Sequence, residues 1–320
     1  VSGAPPRVTK RLKRWLAYQL GRLALGALGL MPVALALVLG EGLGRGAALV
    51  ARASRARAEA QAAAALGETI DARGIVRSMF ARLGRLVAEL ALLAARPSRV
   101  AAWMAWPAPE HDALRAARAE GRGVLALSAH VGNWELLAAR AVAAGHPVSA
   151  FARENANVYF DRWIVALRAR LGVATLHRGD DRSGRRALEA LRRGEVLALL
   201  VDQDVRTPSV MAPFFGRPAR TARGALELAV RRRIPVVLVL AAGEGAARAA
   251  HVERMPTPAW QRGEPLSPAV RALAAEINLR LERAIRADPA AWPWIHARWR
   301  APRPGDWSDT DADEHALADP

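Results

Sequence analysis

From residue 112 onward, short runs of strand-forming residues alternate with stretches of helical pattern, and no other feature restricts the fold as much. Residues 112–120 read as a helix, Gly121-Arg122-Gly123 as a turn and 124–128 as an apolar strand. A helix over 134–144 closes at Gly145, a strand follows over 148–153, and a helix over 159–171 ends at Gly172. Next come a helix over 185–193, a strand over 196–201 and a helix over 223–233. Residues 235–241 form a pure strand pattern bounded by proline and glycine, and 271–287 is the last long helix. Helical crossovers join parallel strands, so the expected class is α/β: a mainly parallel sheet flanked by helices.

The chain before this core has a different texture. Residues 1–14 are polar, basic and proline-containing, and predict a disordered start. Residues 23–40 carry no charge, close to the roughly 18–20 residues that span a bilayer. Lys10, Arg11, Lys13 and Arg14 flank the run and suit anionic headgroups, whereas Gln19, Arg22 and Pro32 interrupt it. These flanks favour a membrane-associated helix over 15–45, spanning or interfacial, above a buried core helix or a signal peptide. A helical segment follows over 46–110, with helices at 46–65 and 74–95. The second carries the stripe Ile75, Met79, Leu83, Leu86, Leu90 and Leu93, and Arg96-Pro97-Ser98 ends it. The α/β core then occupies 111–301, and an acidic tail over 302–320 predicts flexibility.

Net charge is +17, which implies an anionic partner, either nucleic acid or a membrane surface. Lys10 and Lys13 are the only lysines, however, so part of the excess reflects a compositional preference for arginine. The arginines are spread over every helix and accompany no nucleic-acid reader motif, which disfavours that partner. The chain has no cysteine, which excludes disulfides, thiolate metal sites and a cysteine nucleophile. The histidines outside residue 130 lack zinc-site spacing. No phosphate loop, nucleophile elbow or dinucleotide fingerprint is present.

The segment that carries chemistry is Ser128-Ala129-His130-Val131-Gly132-Asn133-Trp134-Glu135. It starts where a strand ends, the place where open α/β sheets bind ligands, and finishes in the first turn of a helix capped by Asn133. From that turn Glu135 is expected to reach back to the imidazole of His130. A carboxylate on one ring nitrogen leaves the other free to take a proton from an alcohol that attacks a carbonyl carbon. The acceptor alcohol is then the nucleophile, so no serine is required. On spacing alone, a histidine near a glutamate is more often structural than catalytic.

Within His-Val-Gly-Asn-Trp-Glu, His130 and Glu135 form a His-x-x-x-x-Glu motif that resembles the signature of the lipid A biosynthesis lauroyl/myristoyl acyltransferase family, within the lysophospholipid acyltransferase superfamily. Later blocks match in order: Phe151-Ala152-Arg153-Glu154-Asn155 with Asp161-Arg162 and the 168–172 stretch; Asp202-Gln203-Asp204 with Pro213-Phe214-Phe215-Gly216-Arg217-Pro218; and Trp292-Pro293-Trp294-Ile295-His296-Ala297-Arg298-Trp299. The likeness spans roughly residues 12–300. It implies transfer of a fatty acyl chain from an acyl carrier protein or CoA thioester to a hydroxyl of a lipid A precursor, without a metal or other cofactor. It also implies attachment to the bacterial inner membrane with the active site on the cytoplasmic side. His130 would be the general base and Glu135 its partner, with Asn133 in the substrate site. Arg153 would hold an acceptor anion or steady the oxyanion. Asp202 and Asp204 would orient Arg153 or acceptor hydroxyls, and Arg298 would bind headgroup phosphate or stack on Trp294 or Trp299. The 213–218 block is expected to be a loop that shapes the cleft. Similar proteins acylate phosphatidylinositol mannosides, lysophospholipids and other membrane lipids, so the acceptor stays open between these. A non-catalytic membrane scaffold is the remaining reading, disfavoured because His130 and Glu135 are both retained.

Overall fold

The computed structural model describes residues 8–179, 182–204 and 206–307. Four helices lead the chain: α1 (Val8–Leu30), α2 (Val33–Val50), α3 (Arg52–Leu66) and α4 (Ala72–Ala95). The expected single apolar helix is thus two, because Pro32 has no N–H to continue the first and stands as the N-cap of the second. Residues 8–14, expected to be disordered, belong to α1, while residues 1–7 and 308–320 lie outside the described residues. Asp71 caps α4, accepting a bond from the Gly74 N–H at 2.8 Å.

After the short α5 (Val100–Trp103) and α6 (Ala108–Ala119), the alternation begins: β1 (Val124–Ser128), α7 (Trp134–Ala143), β2 (Val148–Arg153), α8 (Val158–Arg170), β3 (Val173–Arg178), α9 (Ser183–Arg192) and β4 (Val196–Leu200). A hairpin of β5 (Ser209–Phe214) and β6 (Arg217–Ala222) follows, then α10 (Gly224–Arg232), β7 (Val236–Ala242), β8 (Ala249–Arg254) and α11 (Leu266–Ala287). The main sheet has the order β3-β2-β4-β1-β7-β8, parallel except for β8, as the α/β reading requires. Strand β1 sits inside it and alternates faces. Leu125 and Leu127 pack with Leu226, Leu273 and Ile277 from α10 and α11, whereas Val124 and Ala126 pack with Leu114 and Leu136 from α6 and α7. The result is helix layers on both faces of one sheet.

Helix α4 ties the N-terminal helices to this core. Met79 and Phe80 join the core on the α11 side, while Ala88, Ala91 and Leu92 pack with Leu28 of α1 and Ala36 of α2. At the α2–α4 crossing, Gly40 and Gly84 bring the backbones together; a Cβ on Gly40 would lie 2.7 Å from the Gly84 carbonyl oxygen. The outward sides of α1 and α2 remain apolar and uncovered. Leu20, Leu23, Val38, Leu43 and Leu49 each expose more than 60 % of their surface. Helix α2 is long and apolar enough to cross a membrane.

Candidate active site

Strands β1 and β4 run parallel with Ser128 opposite Leu200. Two residues past that pair, both chains leave the sheet at its carboxyl edge, carrying His130 and Asp202. The register therefore sets them side by side: His130 Nδ1 lies 2.9 Å from Asp202 Oδ1, and the His130 backbone N–H donates to Asp202 Oδ2 at 3.0 Å. Trp292 Nε1 donates to the same Oδ2 at 2.8 Å. Asp202 is fully buried, and burial alone would push its carboxyl up. The imidazole charge and the N–H donors from His130 and Trp292 outweigh this and hold it down at about 2. An ionised Asp202 fixes the Nδ1–H tautomer of His130 and leaves Nε2 as the proton acceptor.

The turn from β1 into α7 needs Gly132 at a φ of 63°, where a Cβ would stand 2.8 Å from the Ala241 carbonyl oxygen. Asn133 then caps α7 as expected, its Oδ1 accepting from the Leu136 N–H at 2.9 Å. Its amide nitrogen donates to buried Glu89 of α4 at 2.8 Å, and Glu89 is also paired with Arg248. The Asn133 side chain is therefore engaged by protein on both ends.

Glu135 does not make the expected contact with His130. Both of its oxygens are taken by Arg168 of α8, which donates from Nε at 2.9 Å and Nη2 at 2.5 Å. Both side chains are nearly buried, and the pair joins α7 to α8. Burial lowers the Arg168 pKa, but Glu135 more than reverses this, so the guanidinium stays charged. Asp202 thus occupies the place on the imidazole that sequence reading assigned to Glu135. The strand pairing that brings Asp202 there joins residues 72 apart in sequence, which no local spacing reveals.

The other candidates scatter. Asp204 accepts from Arg220 at 2.6 Å and Arg303 at 3.0 Å, so neither aspartate orients Arg153. Arg298 is fully buried, donates to the Arg220 carbonyl and Thr221 Oγ1, and lies 5.0 Å from the ring centre of Phe214. Burial lowers its pKa to about 10. It is sealed from any headgroup, and it stacks on neither Trp294 nor Trp299 as expected; Arg217 covers Trp299 instead. Arg153 is exposed at the carboxyl end of β2. The 213–218 block is a hairpin turn, with Phe215 and Gly216 both at positive φ and the Phe215 N–H bonded to Glu282 of α11.

His130 lines a cleft of about 440 Å³. Met79, Leu83 and Leu86 of α4 line it, together with Leu240 to Ala242 at the end of β7 and Gly243 just after it. Arg82, Arg85 and Arg248 stand at its polar part with Glu89 and Glu244 among them. The Trp134 ring meets the His130 ring edge-on at 4.7 Å between centres, and His296 lies 6.2 Å away. Burial first, then the charge that His130 carries when protonated, lowers the His296 pKa. Sequence reading passed over Glu89, Trp292 and His296 as site residues. Glu89 had a signal, a lone acid within the apolar run from Val87 to Leu93.

The arrangement can bind a group with an apolar part beside a histidine whose tautomer is fixed by a buried carboxylate. No curated protein matches the chain. Residues 7–301 match the family model of the bacterial lipid A biosynthesis acyltransferase, which covers nearly the whole chain. The chain belongs to the bacterial lipid A biosynthesis acyltransferase family.

Proposed function

We propose that the protein is an O-acyltransferase that moves a fatty acyl chain from an acyl carrier protein or CoA thioester to a hydroxyl of a lipid A precursor at the inner membrane, its active site facing the cytoplasm. The observation that carries this reading is the His130–Asp202 pair beside an apolar cleft. His130 Nε2 takes the acceptor hydroxyl proton as that oxygen attacks the thioester carbonyl carbon. The tetrahedral adduct collapses with loss of the thiolate, and the imidazolium returns the proton to sulfur. Asp202 stabilises the imidazolium without itself taking a proton. The chain supplies no covalent nucleophile in this scheme, and the reading calls for no cofactor beyond the donor thioester. The apolar residues of α4 and β7 suit the acyl chain, which gains about 0.8 kcal/mol for each methylene buried.

Glu135 is placed here as a positioning residue: with Arg168 it fixes the start of α7, and so the turn that carries His130. The test is acyl transfer by the full chain in detergent, with acyl carrier protein and CoA donors on a lipid A precursor, read by mass spectrometry of the product. His130→Ala is expected to lose about 10²–10⁴-fold in rate while still folding. Retention of more than about a tenth of the activity would remove His130 as the base.

A further inference from the structure

Glu89 is the only charged residue in the apolar stretch of α4 from Val87 to Leu93, and it is buried. A carboxylate removed from water is costly unless its oxygens are paired and hydrogen-bonded. Glu89 Oε2 accepts from the Asn133 amide nitrogen at 2.8 Å. Oε1 accepts from Arg248, which directly precedes β8, and from Arg85 Nε at 3.4 Å. Arg85 is shared with Glu41 of α2, so Glu41 and Glu89 together balance the two guanidiniums. One side chain thus joins α4 to the turn between β1 and α7 and to the segment between β7 and β8. Glu89, Asn133 and Arg248 all line the cleft that holds His130.

The contact with Asn133 has a direction. A carboxylate only accepts, so it draws the nitrogen end of the amide toward α4 and turns Oδ1 toward the Leu136 N–H, which donates to it at 2.9 Å. Without that acceptor the amide can rotate, and the first turn of α7 loses a fixed cap. His130 stands three residues ahead of Asn133, on an arm in which Gly132 holds a φ of 63°. The imidazole is therefore held from two sides. Asp202 reaches it across the sheet from β4, and Glu89 reaches it along its own chain through Asn133.

We propose that Glu89 is a positioning residue for acyl transfer, which sets the β1–α7 turn through Asn133 and so the angle at which His130 Nε2 enters the cleft. The effect on transfer rests on the acyl-transfer reading; the effect on the imidazole does not. Glu89 accepts hydrogen bonds and takes no proton in the reaction. A carboxylate that served only to join helices would, when lost, lower stability and leave the chemistry of the folded chain alone.

The experiment reverses the donor and the acceptor. In Glu89→Gln the amide oxygen is claimed by the two arginines, which leaves its N–H groups against those of Asn133. Asn133→Asp keeps a capping oxygen but sets two carboxylates together. In the double variant the introduced amide donates to the introduced carboxylate, and the number of carboxylates is that of the wild type. The full chain in detergent, labelled with 15N at histidine, is read by NMR, with His130→Ala assigning the His130 ring signals, and by steady-state transfer. Each single variant should displace the His130 signals and lower kcat about tenfold or more, with KM for donor and acceptor within about twofold. The double variant should restore the signals and bring kcat to within about threefold of wild type. A folded Glu89→Gln chain with wild-type kcat and His130 signals would overturn the role. If the single variants fail to fold, the double variant decides: a folded chain with displaced signals and low kcat would overturn it equally. Asn133→Ser, which keeps a capping oxygen and drops the amide donor, gives a third reading, and wild-type kcat and signals there would also count against it. Displaced signals in variants of a chain that transfers no acyl group, wild type included, would leave the positioning standing and overturn the acyl-transfer reading instead.

Discussion

Glu135 shows how much a single side chain's partner matters. Its carboxylate is bound side-on by Arg168, both nearly buried, so its effect on His130 passes through the placement of α7. Removing one member of such a pair leaves the other charge without compensation and costs about 3–5 kcal/mol, whereas replacing both with apolar residues is often neutral. Glu135→Ala should therefore lower thermal stability and activity together. The double variant Glu135→Leu with Arg168→Leu should regain both, as measured by melting temperature and initial rate. Recovery of stability without activity would mean that the carboxylate acts on His130 or on substrate directly. The motif spacing made Glu135 conspicuous, but spacing cannot say which cation meets it. Arg168 stood within a block quoted for resemblance, and Asp202 within another; only the packing of α8 on α7 shows that one serves Glu135, and only the β1–β4 pairing that the other serves His130.

Among the elements, α4 has the most demanding position, since it meets α2 on one side and carries Glu89 to Asn133 on the other. The Gly84 site against Gly40 has no room for a methyl group. Gly84→Ala should cost about 1–3 kcal/mol through overpacking and loosen α2, exposing the Val50–Arg52 junction to protease. Unchanged melting and proteolysis would show that the two helices separate freely. The elements that were legible in sequence are those with uniform patterns, such as β1, β2, β4 and β7, which lie inside the sheet and are apolar for most of their length. Strand β3, Val-Ala-Thr-Leu-His-Arg, was missed because it is an edge strand, mostly half-exposed and mixed in composition. Residues 213–218, the tip of the β5–β6 hairpin, read as a loop because Pro213 faces Pro218 in its register, and proline suits only edges and bulges. The antiparallel edge strand β8 had no turn signal beyond Gly243 and Gly245.

On the scale of the whole molecule, an α/β core with its site on the carboxyl edge of the sheet is joined through α4 to two helices with uncovered apolar faces. If those faces enter lipid, the full chain should sediment with vesicles at both low and high salt, because burial of apolar surface is not screened as charge is. A chain lacking residues 1–50 should leave the vesicles or aggregate. Full-length protein that stays in the supernatant at both salts would contradict membrane attachment. The same sheet makes the central claim testable, because the pairing of β1 with β4 is what joins His130 to Asp202. The most direct measurement is a double-mutant cycle on acyl transfer with His130→Ala, Asp202→Asn and both together. Residues that act as one unit are non-additive. Asp202→Asn should cost at least about 10²-fold by presenting the wrong tautomer, and adding it to His130→Ala should cost nothing further. A double variant slower than His130→Ala by the full Asp202→Asn factor would show that the two residues act independently, contradicting the pair as the catalytic unit.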